Sequence, residues 1–336
     1  MIQNNWKNKN VLITGINGFI GGNLCKSLLL KGANIFGLVR NYNKTSFLFF
    51  ENLDNKIKII EGDIVNPSLL EGILSENNID FVFHLAAQVE VGVAMNNPYL
   101  TYETNVRGTY TLLEACRLYG KNLKAIIIAS SDKSYGTYPI DQMPYKEDYS
   151  LNPKFPYDTS KACTDLIAKS YSESYKDFPV IITRFCNIYG PGQLNFSAVI
   201  PDTIRSALGY TNFIPRGNGK SVRDFIFVED VCELYQLIAL SLSENKNYSG
   251  EIFNAGTNLP ISVKDLIVKI FSIIGSKNEL NRIISEMNDK ETFGEIDCQY
   301  MDFEKVNKFF NWRPKTDLSK GLEITINWFQ DYLAKN

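Results

Sequence analysis

Histidine is almost missing from this chain: His84 is the only one among 336 residues. A zinc site built on several histidines is therefore excluded, and no Ser-His-Asp triad enters the reading. If the protein is an enzyme, its proton chemistry falls to Tyr, Lys, Asp, Glu or Ser. Cysteine is scattered. Cys25, Cys116, Cys163, Cys186, Cys232 and Cys298 never approach a CxxC spacing, and each lies in an apolar or helical stretch. They are expected to be reduced core thiols of a cytoplasmic protein rather than a disulfide frame. A surplus of either charge is absent as well. The 35 Lys and Arg against 37 Asp and Glu give a net charge of −2, which leaves nothing to neutralise a phosphate backbone, so nucleic acid is not expected as a partner. No apolar run reaches the roughly 18 residues of a membrane helix. The opening MIQNNWKNKN is polar, without a signal core, so neither a membrane nor a leader is expected.

What is present is a large apolar fraction, 44% of residues, enough for a sizeable core. The length suggests two lobes. Short β-prone runs alternate with helical patterns: Val11 to Thr14, Asn34 to Val39, Ile57 to Glu61, Ile79 to Leu85, Ala125 to Ala129 and Val180 to Phe185. Helices are expected between them, notably Leu100 to Tyr119 and Tyr157 to Tyr175. Strands apolar on both faces and joined by helices predict an α/β fold, a Rossmann-type doubly wound parallel sheet. After Asn187 the chain becomes richer in Gly and Pro, with one more strand near Gly250 to Asn254 and a last helix over about Leu318 to Leu333. The expected division is a dinucleotide-binding domain over 1–186, with 225–258 returning to it, and a smaller mixed α/β substrate lobe from 187–224 and 259–336.

Three motifs carry chemistry. The first strand runs into Gly15-Ile16-Asn17-Gly18-Phe19-Ile20-Gly21, a GxxGxxG loop opening a helix. Gly15 allows a tight turn, Gly18 lets backbone approach a pyrophosphate, and Gly21 lets helix and sheet pack closely. After the second strand, where an NAD site would carry an acidic residue, stands Arg40. It can pair with a 2′-phosphate, which favours NADP over NAD, or lie solvated on the adenine. Asp63 and Ile64 after the third strand are placed to meet the adenine, although Asp63 could equally cap the helix starting near Pro67. Tyr157 and Lys161 form a YxxxK pair on one helical face. Ser131, Asp132 and Lys133 end the apolar strand AIIIA, where parallel sheets bind their ligands.

The ordered set of TGxxGxxG, His84-Leu85-Ala86-Ala87, SSDKSYG, YxxxK, RFCNIYGP from Arg184 and RDFIFVED from Arg223 resembles the extended short-chain dehydrogenase/reductases that act on nucleotide sugars, the NAD-dependent epimerase/dehydratase family. The resemblance covers nearly the whole chain. Ser131-Asp132-Lys133 is most similar to the CDP-glucose 4,6-dehydratases, with GDP-mannose 4,6-dehydratase-like chains next. Ser131 stands where those families more often have Thr, and the HTGFKG loop form is absent.

The resemblance implies a nucleotide-diphosphate sugar as partner and a redox-neutral 4,6-dehydratase with bound NAD or NADP. Tyr157 would take the 4-hydroxyl proton, helped by Lys161 and aligned by Ser131. Asp132 and Lys133 would share the loss of water. Asn17, Phe19, Ile20, Leu85, Ala86 and Ala87 would line the dinucleotide. Asn187 and Arg223 match positions that hold a diphosphate, and Val199 and Arg216 are further substrate candidates. Val89 and Glu90 follow in a loop over the cofactor, and His84 is expected to pack against cofactor phosphates or backbone. No metal is expected. Relatives pair helices across a two-fold axis, so a homodimer or a dimer of dimers is expected. A 4-epimerase or 4-dehydrogenase is the alternative on this fold, and a dinucleotide-binding scaffold is the non-enzymatic one.

Overall fold

The computed structural model describes residues 5–276, 278–288 and 296–335. Six strands follow the chain in order: β1 (Asn10–Thr14), β2 (Asn34–Val39), β3 (Lys58–Glu61), β4 (Phe81–His84), β5 (Ala125–Ala129) and β6 (Val180–Phe185). With the later strand Ile252–Ala255 they form one seven-stranded sheet, ordered from that strand through β6, β5, β4, β1 and β2 to β3. Every pairing in it is parallel. The side-chain period of two sorts each central strand onto two cores. In β1, Val11 and Ile13 face one apolar cluster and Leu12 the other; in β5, Ala125 and Ile127 oppose Ile126 and Ile128. Burial on both faces is why these runs read as continuous apolar stretches, and it makes the fold doubly wound, as expected from the sequence. Helix α1 (Phe19–Leu30) and the helix Val228–Glu244 cover one face, while Pro67–Glu76, Gly108–Tyr119 and Pro156–Ser174 cover the other.

The strand order reverses between β1 and β4, so a crevice opens at their C-terminal ends, where ligands of such sheets bind. Above it sit two small sheets. Asn187–Tyr189 pairs with Phe225–Phe227, and Val222–Arg223 lies between Ile261–Ser262 and Cys298–Gln299. A separate apolar cluster joins the helices Val199–Ala207, Val263–Ile274 and Leu318–Lys335. The last helix is also tied to the main sheet's lobe, through Trp328 Nε1 to Glu51 (3.0 Å) and Tyr332 Oη to the Thr45 carbonyl (2.9 Å).

One expected helix is different. The stretch expected as Leu100 to Tyr119 is Pro98–Tyr102, a π-helical turn Glu103–Arg107, then Gly108–Tyr119. The widened turn carries buried Asn105. Its side chain accepts from Gln88 N (2.7 Å) and donates to the Gln88 carbonyl (3.0 Å) and to Ser160 Oγ (2.8 Å). Such bulges are frequent at functional sites, where they re-aim a side chain.

Candidate active site

The β1–α1 loop is shaped by what cannot fit in it. Gly15 has φ +70°, and a methyl there would lie 2.8 Å from the backbone of Ala86. A methyl on Gly21 would lie 2.4 Å from the Gly15 carbonyl oxygen. Gly18 is the N-cap of α1, without a side-chain cap and with no acidic residue in the first turn. The helix therefore presents unmasked N–H groups, the donor set that a pyrophosphate takes. These features fit a dinucleotide. Asn17 anchors the loop to the end of β2 by donating to the Asn41 carbonyl (2.9 Å).

His84 is buried between two threonines. Its Nδ1 is 2.8 Å from Thr14 Oγ1 and its Nε2 is 3.1 Å from Thr109 Oγ1. Thr14 Oγ1 also accepts from Leu85 N and Ala86 N, both at 3.2 Å, and Thr109 donates to the Asn105 carbonyl. The hydroxyl protons thus run from Thr14 to His84 Nδ1, leaving the proton on Nε2. Burial, and next the charge of Lys161, lower the imidazole pKa to about 3. This neutral ring locks the ends of β1 and β4 beneath the loop. Both ring nitrogens are thus taken up by threonine hydroxyls.

β5 is followed by Ser130 and Ser131 and then by a short turn, Asp132–Tyr135. Ser131 caps that turn by accepting from Lys133 N (3.2 Å), and its hydroxyl donates to Asp132 Oδ1 (2.9 Å). The other Asp132 oxygen is buried with no hydrogen-bond partner among the described residues. Tyr157 and Lys161 lie one turn apart on the helix Pro156–Ser174. Ser131 hydrogen-bonds the Tyr157 hydroxyl. The tyrosine differs from expectation. Burial, with Asp132 and Asp158 nearby, pushes its phenol well above the ordinary range, and only Ser131 pulls the other way. Lys161 does not offset this. Its ammonium donates to the Ala129 carbonyl (2.8 Å), and burial lowers its pKa to about 8 against the attraction of Asp165.

One cleft of about 1120 Å³ brings the expected residues together. Gly15, Asn17, Gly18, Phe19, Ile20 and Gly21 line it with Arg40, Asp63, Ile64, Leu85, Ala86 and Ala87. Ser131, Asp132, Lys133, Tyr157 and Lys161 line the same cleft, as do Asn187, Val199, Arg216 and Arg223. Asp63 does not cap the helix near Pro67. Asn66 does, and Asp63 accepts from Val65 N instead (3.2 Å). Arg223 does not rely on its neighbour Asp224, whose buried carboxylate is held by Thr257 and by Asn258 N.

Sequence reasoning missed three groups. Asp158 lines the cleft, and burial, opposed by Lys133 and aided by Asp132, lifts its carboxyl to about 6. A carboxylate inside YDTSK was the available signal. Asn105 stood in the pattern TNVRGT, a polar residue in an apolar helix. Gln299, from the C-terminal part of the chain, takes a hydrogen bond from Lys133 Nζ, and no local pattern marks it.

The model of the family described as GDP-mannose 4,6 dehydratase matches residues 12–325. The chain belongs to this family of nucleotide-sugar dehydratases, within the wider epimerase/dehydratase group. Human dTDP-D-glucose 4,6-dehydratase is 32% identical over 333 residues, spanning 96% of this chain and 90% of that protein. A trifunctional UDP-glucose 4,6-dehydratase, epimerase and reductase of Arabidopsis thaliana is 29% identical over 98% of this chain, which spans only 48% of that longer protein. Among solved structures, dTDP-glucose 4,6-dehydratase of Bacillus anthracis in complex with NAD superposes with a TM-score of 0.82, at 28% identity, over 96% of this chain and 97% of that one. UDP-glucose 4-epimerase of Thermotoga maritima with UDP-glucose gives 0.83 at 28% identity, over 96% and 99%. No helix among the described residues is long and apolar enough to cross a membrane.

Proposed function

We propose that this protein is a nucleotide-diphosphate-hexose 4,6-dehydratase, a lyase that forms a 4-keto-6-deoxy sugar nucleotide. The observation that carries this reading is Ser131-Asp132-Lys133 at the end of β5, in the same cleft as Tyr157 and Lys161. NAD is the proposed dinucleotide, as in the Bacillus anthracis enzyme. Arg40 is exposed at the rim, so Arg40→Ala should weaken NADP more than NAD, and an equal loss for both would remove it from cofactor choice. When bound, the dinucleotide supplies a hydride acceptor for sugar carbon 4 and, once reduced, a hydride donor for carbon 6.

The chain's own residues handle the protons. Tyr157 takes the proton of the 4-hydroxyl, and Ser131 aligns that hydroxyl. A keto group at carbon 4 then acidifies the proton on carbon 5, which Lys133 takes. Its bonding pair becomes the carbon 5–carbon 6 double bond as the 6-hydroxyl leaves. Asp132 delivers a proton through its second oxygen, which has no partner among the described residues, so the group departs as water, and Lys133 returns its proton to carbon 5 as carbon 6 is reduced. Lys133 must begin this step as an amine. Asp132 and Asp158 are neighbouring carboxylates that can take up its proton. Positions 187–224 and 259–336 form the proposed sugar-nucleotide lobe, with Asn187 and Arg223 toward the diphosphate and Val199 and Arg216 flanking it. The six free cysteines, five of them buried, fit a reducing compartment, and the cytoplasm is the proposed location.

A 4-epimerase is the second reading, favoured by the Thermotoga maritima superposition. It uses Tyr157, Ser131 and Lys161 but has no task for the Asp132–Lys133 pair. The test is mass spectrometry after incubation with CDP-, GDP-, UDP- and dTDP-hexoses. Loss of one water supports the dehydratase. Unchanged mass with altered stereochemistry supports the epimerase, and bound dinucleotide with no turnover supports a scaffold.

A further inference from the structure

Gln299 is fully buried, yet it lies far along the chain from every motif of the site. Its amide oxygen accepts from Lys133 Nζ, and its amide nitrogen points to Tyr145 Oη at 3.4 Å. Tyr145 in turn donates to the Gly136 carbonyl, one turn beyond Lys133, and its backbone N donates to the Tyr300 carbonyl (3.1 Å). The segment carrying Gln299 is thus fastened to the turn carrying Lys133 at two points. Gln299 also sits on the short strand Cys298–Gln299, which runs parallel to Val222–Arg223 with Gln299 directly opposite Arg223. Partners in a ladder project to the same face. Arg223, which lines the cleft, and Gln299, which holds the lysine, are therefore side by side on one rigid unit.

We propose that Gln299 is a positioning residue for Lys133, and that its pairing with Arg223 links the strand facing the diphosphate to the group that removes the carbon 5 proton. A lysine has four rotatable side-chain bonds, and its Nζ must be fixed to meet one carbon-bound proton. A neutral amide oxygen can fix it as ammonium or as amine, since both donate to it. A carboxylate in that place would favour the ammonium and work against the base. Among the described residues, Asp132 on its own turn and Asp158 on the helix Pro156–Ser174 are ionisable neighbours of Lys133.

The proposal rests on the dehydratase reading for its kinetic consequence, so the experiment has two arms. Gln299→Leu removes the acceptor at similar volume, and Gln299→Glu keeps an acceptor but adds charge. In the kinetic arm, the full-length protein is given the hexose nucleotide it dehydrates. Gln299→Leu should lose about 10- to 100-fold in kcat with KM within about twofold, because a misplaced group is costly only in the reacting geometry. Oxidation at carbon 4 should persist, seen as a build-up of reduced-nicotinamide absorbance. In Gln299→Glu the acid limb of kcat should move to higher pH. The second arm needs no turnover: the pH dependence of Lys133 acetylation is followed by peptide mass spectrometry. Gln299→Glu should move that profile upward, and Gln299→Leu should raise the labelling rate by freeing the side chain. Loss of all water release from every hexose nucleotide in the unaltered protein would refute the dehydratase reading, while the acetylation arm still decides the contact. Unchanged acetylation profiles in both variants would overturn the role of Gln299, as would near-normal dehydration by a folded Gln299→Leu.

Discussion

Asp165→Asn removes one negative charge that serves two buried cations. Asp165 Oδ2 lies 2.5 Å from Arg184 Nε, with side chains only 2% and 3% exposed. Its charge also acts on Lys161, whose pKa of about 8 reflects burial partly offset by Asp165. Burial lifts the Asp165 carboxyl above its ordinary value, and the Arg184 guanidinium beside it chiefly opposes this. Removing one member of a buried pair typically costs about 3–5 kcal/mol, because the other charge is left without compensation. Arg184 keeps a hydrogen bond to Tyr135 Oη (2.7 Å) and the face of that ring at 4.6 Å, so the lower end, ~3 kcal/mol, is expected. With a urea slope near ~3 kcal/mol/M, the unfolding midpoint should fall by about 1 M. Fluorescence of Trp6, Trp312 and Trp328 reports it. The double variant Asp165→Leu with Arg184→Met should recover most of the loss, since a packed apolar pair replaces both charges. Function should respond separately. Without Asp165 the Lys161 pKa falls further, so its cation is lost at lower pH and the alkaline limb of activity should move down. A loss below ~1 kcal/mol together with an unmoved alkaline limb would refute the reasoning.

The glycine loop predicts that Gly21→Ala, whose methyl would lie 2.4 Å from the Gly15 carbonyl, weakens NAD binding at least ~10-fold by titration calorimetry; unchanged affinity would contradict the fit. Tyr157→Phe should stop both oxidation and dehydration, whereas Lys133→Met should keep carbon 4 oxidation and lower water loss by ~10² to 10⁴-fold. Normal dehydration by Lys133→Met would return the epimerase reading. Asp158 has a folded pKa of about 6, above the carboxyl value of 3.8, so the folded state binds its proton more tightly and loses stability as pH rises from about 4 through 6. Asp158→Asn should therefore raise Tm by a few degrees at pH 8, at roughly 2–4 °C per kcal/mol, with little change at pH 4; no difference between the two pH values would count against it. Exposed Tyr99 (74%) and Leu166 (61%), with Tyr110 and Leu118, leave an apolar surface on the helices around the π turn and on Pro156–Ser174. We propose that a second copy covers it, and light scattering at micromolar concentration should give a dimer or tetramer mass rather than a monomer.

Much of this protein is local enough to read in one dimension. The strands β1, β2, β5 and β6 are legible because burial on both faces makes each a short apolar run, and β5 begins and ends where AIIIA does. The glycine loop is legible because turn geometry and the entry to a helix depend on adjacent residues. Tyr157 and Lys161 share a face because a helix repeats every 3.6 residues. Tertiary structure decided the rest. A π turn over Glu103–Arg107 interrupts an apparently continuous helix because Asn105 is drawn to Gln88 and Ser160, partners 17 and 55 residues away. The ionisation of Tyr157 depends on how deeply its hydroxyl is buried and on Asp132 and Asp158, not on Lys161 one turn away. Asp165 meets Arg184 only because β6 lies beside the helix Pro156–Ser174. Gln299 reaches Lys133 across 166 residues of chain because two short strands pair in one register. Backbone periodicity acts over a few residues and leaves its mark in sequence. Burial, ion pairing and register sum contributions from segments that only folding brings together.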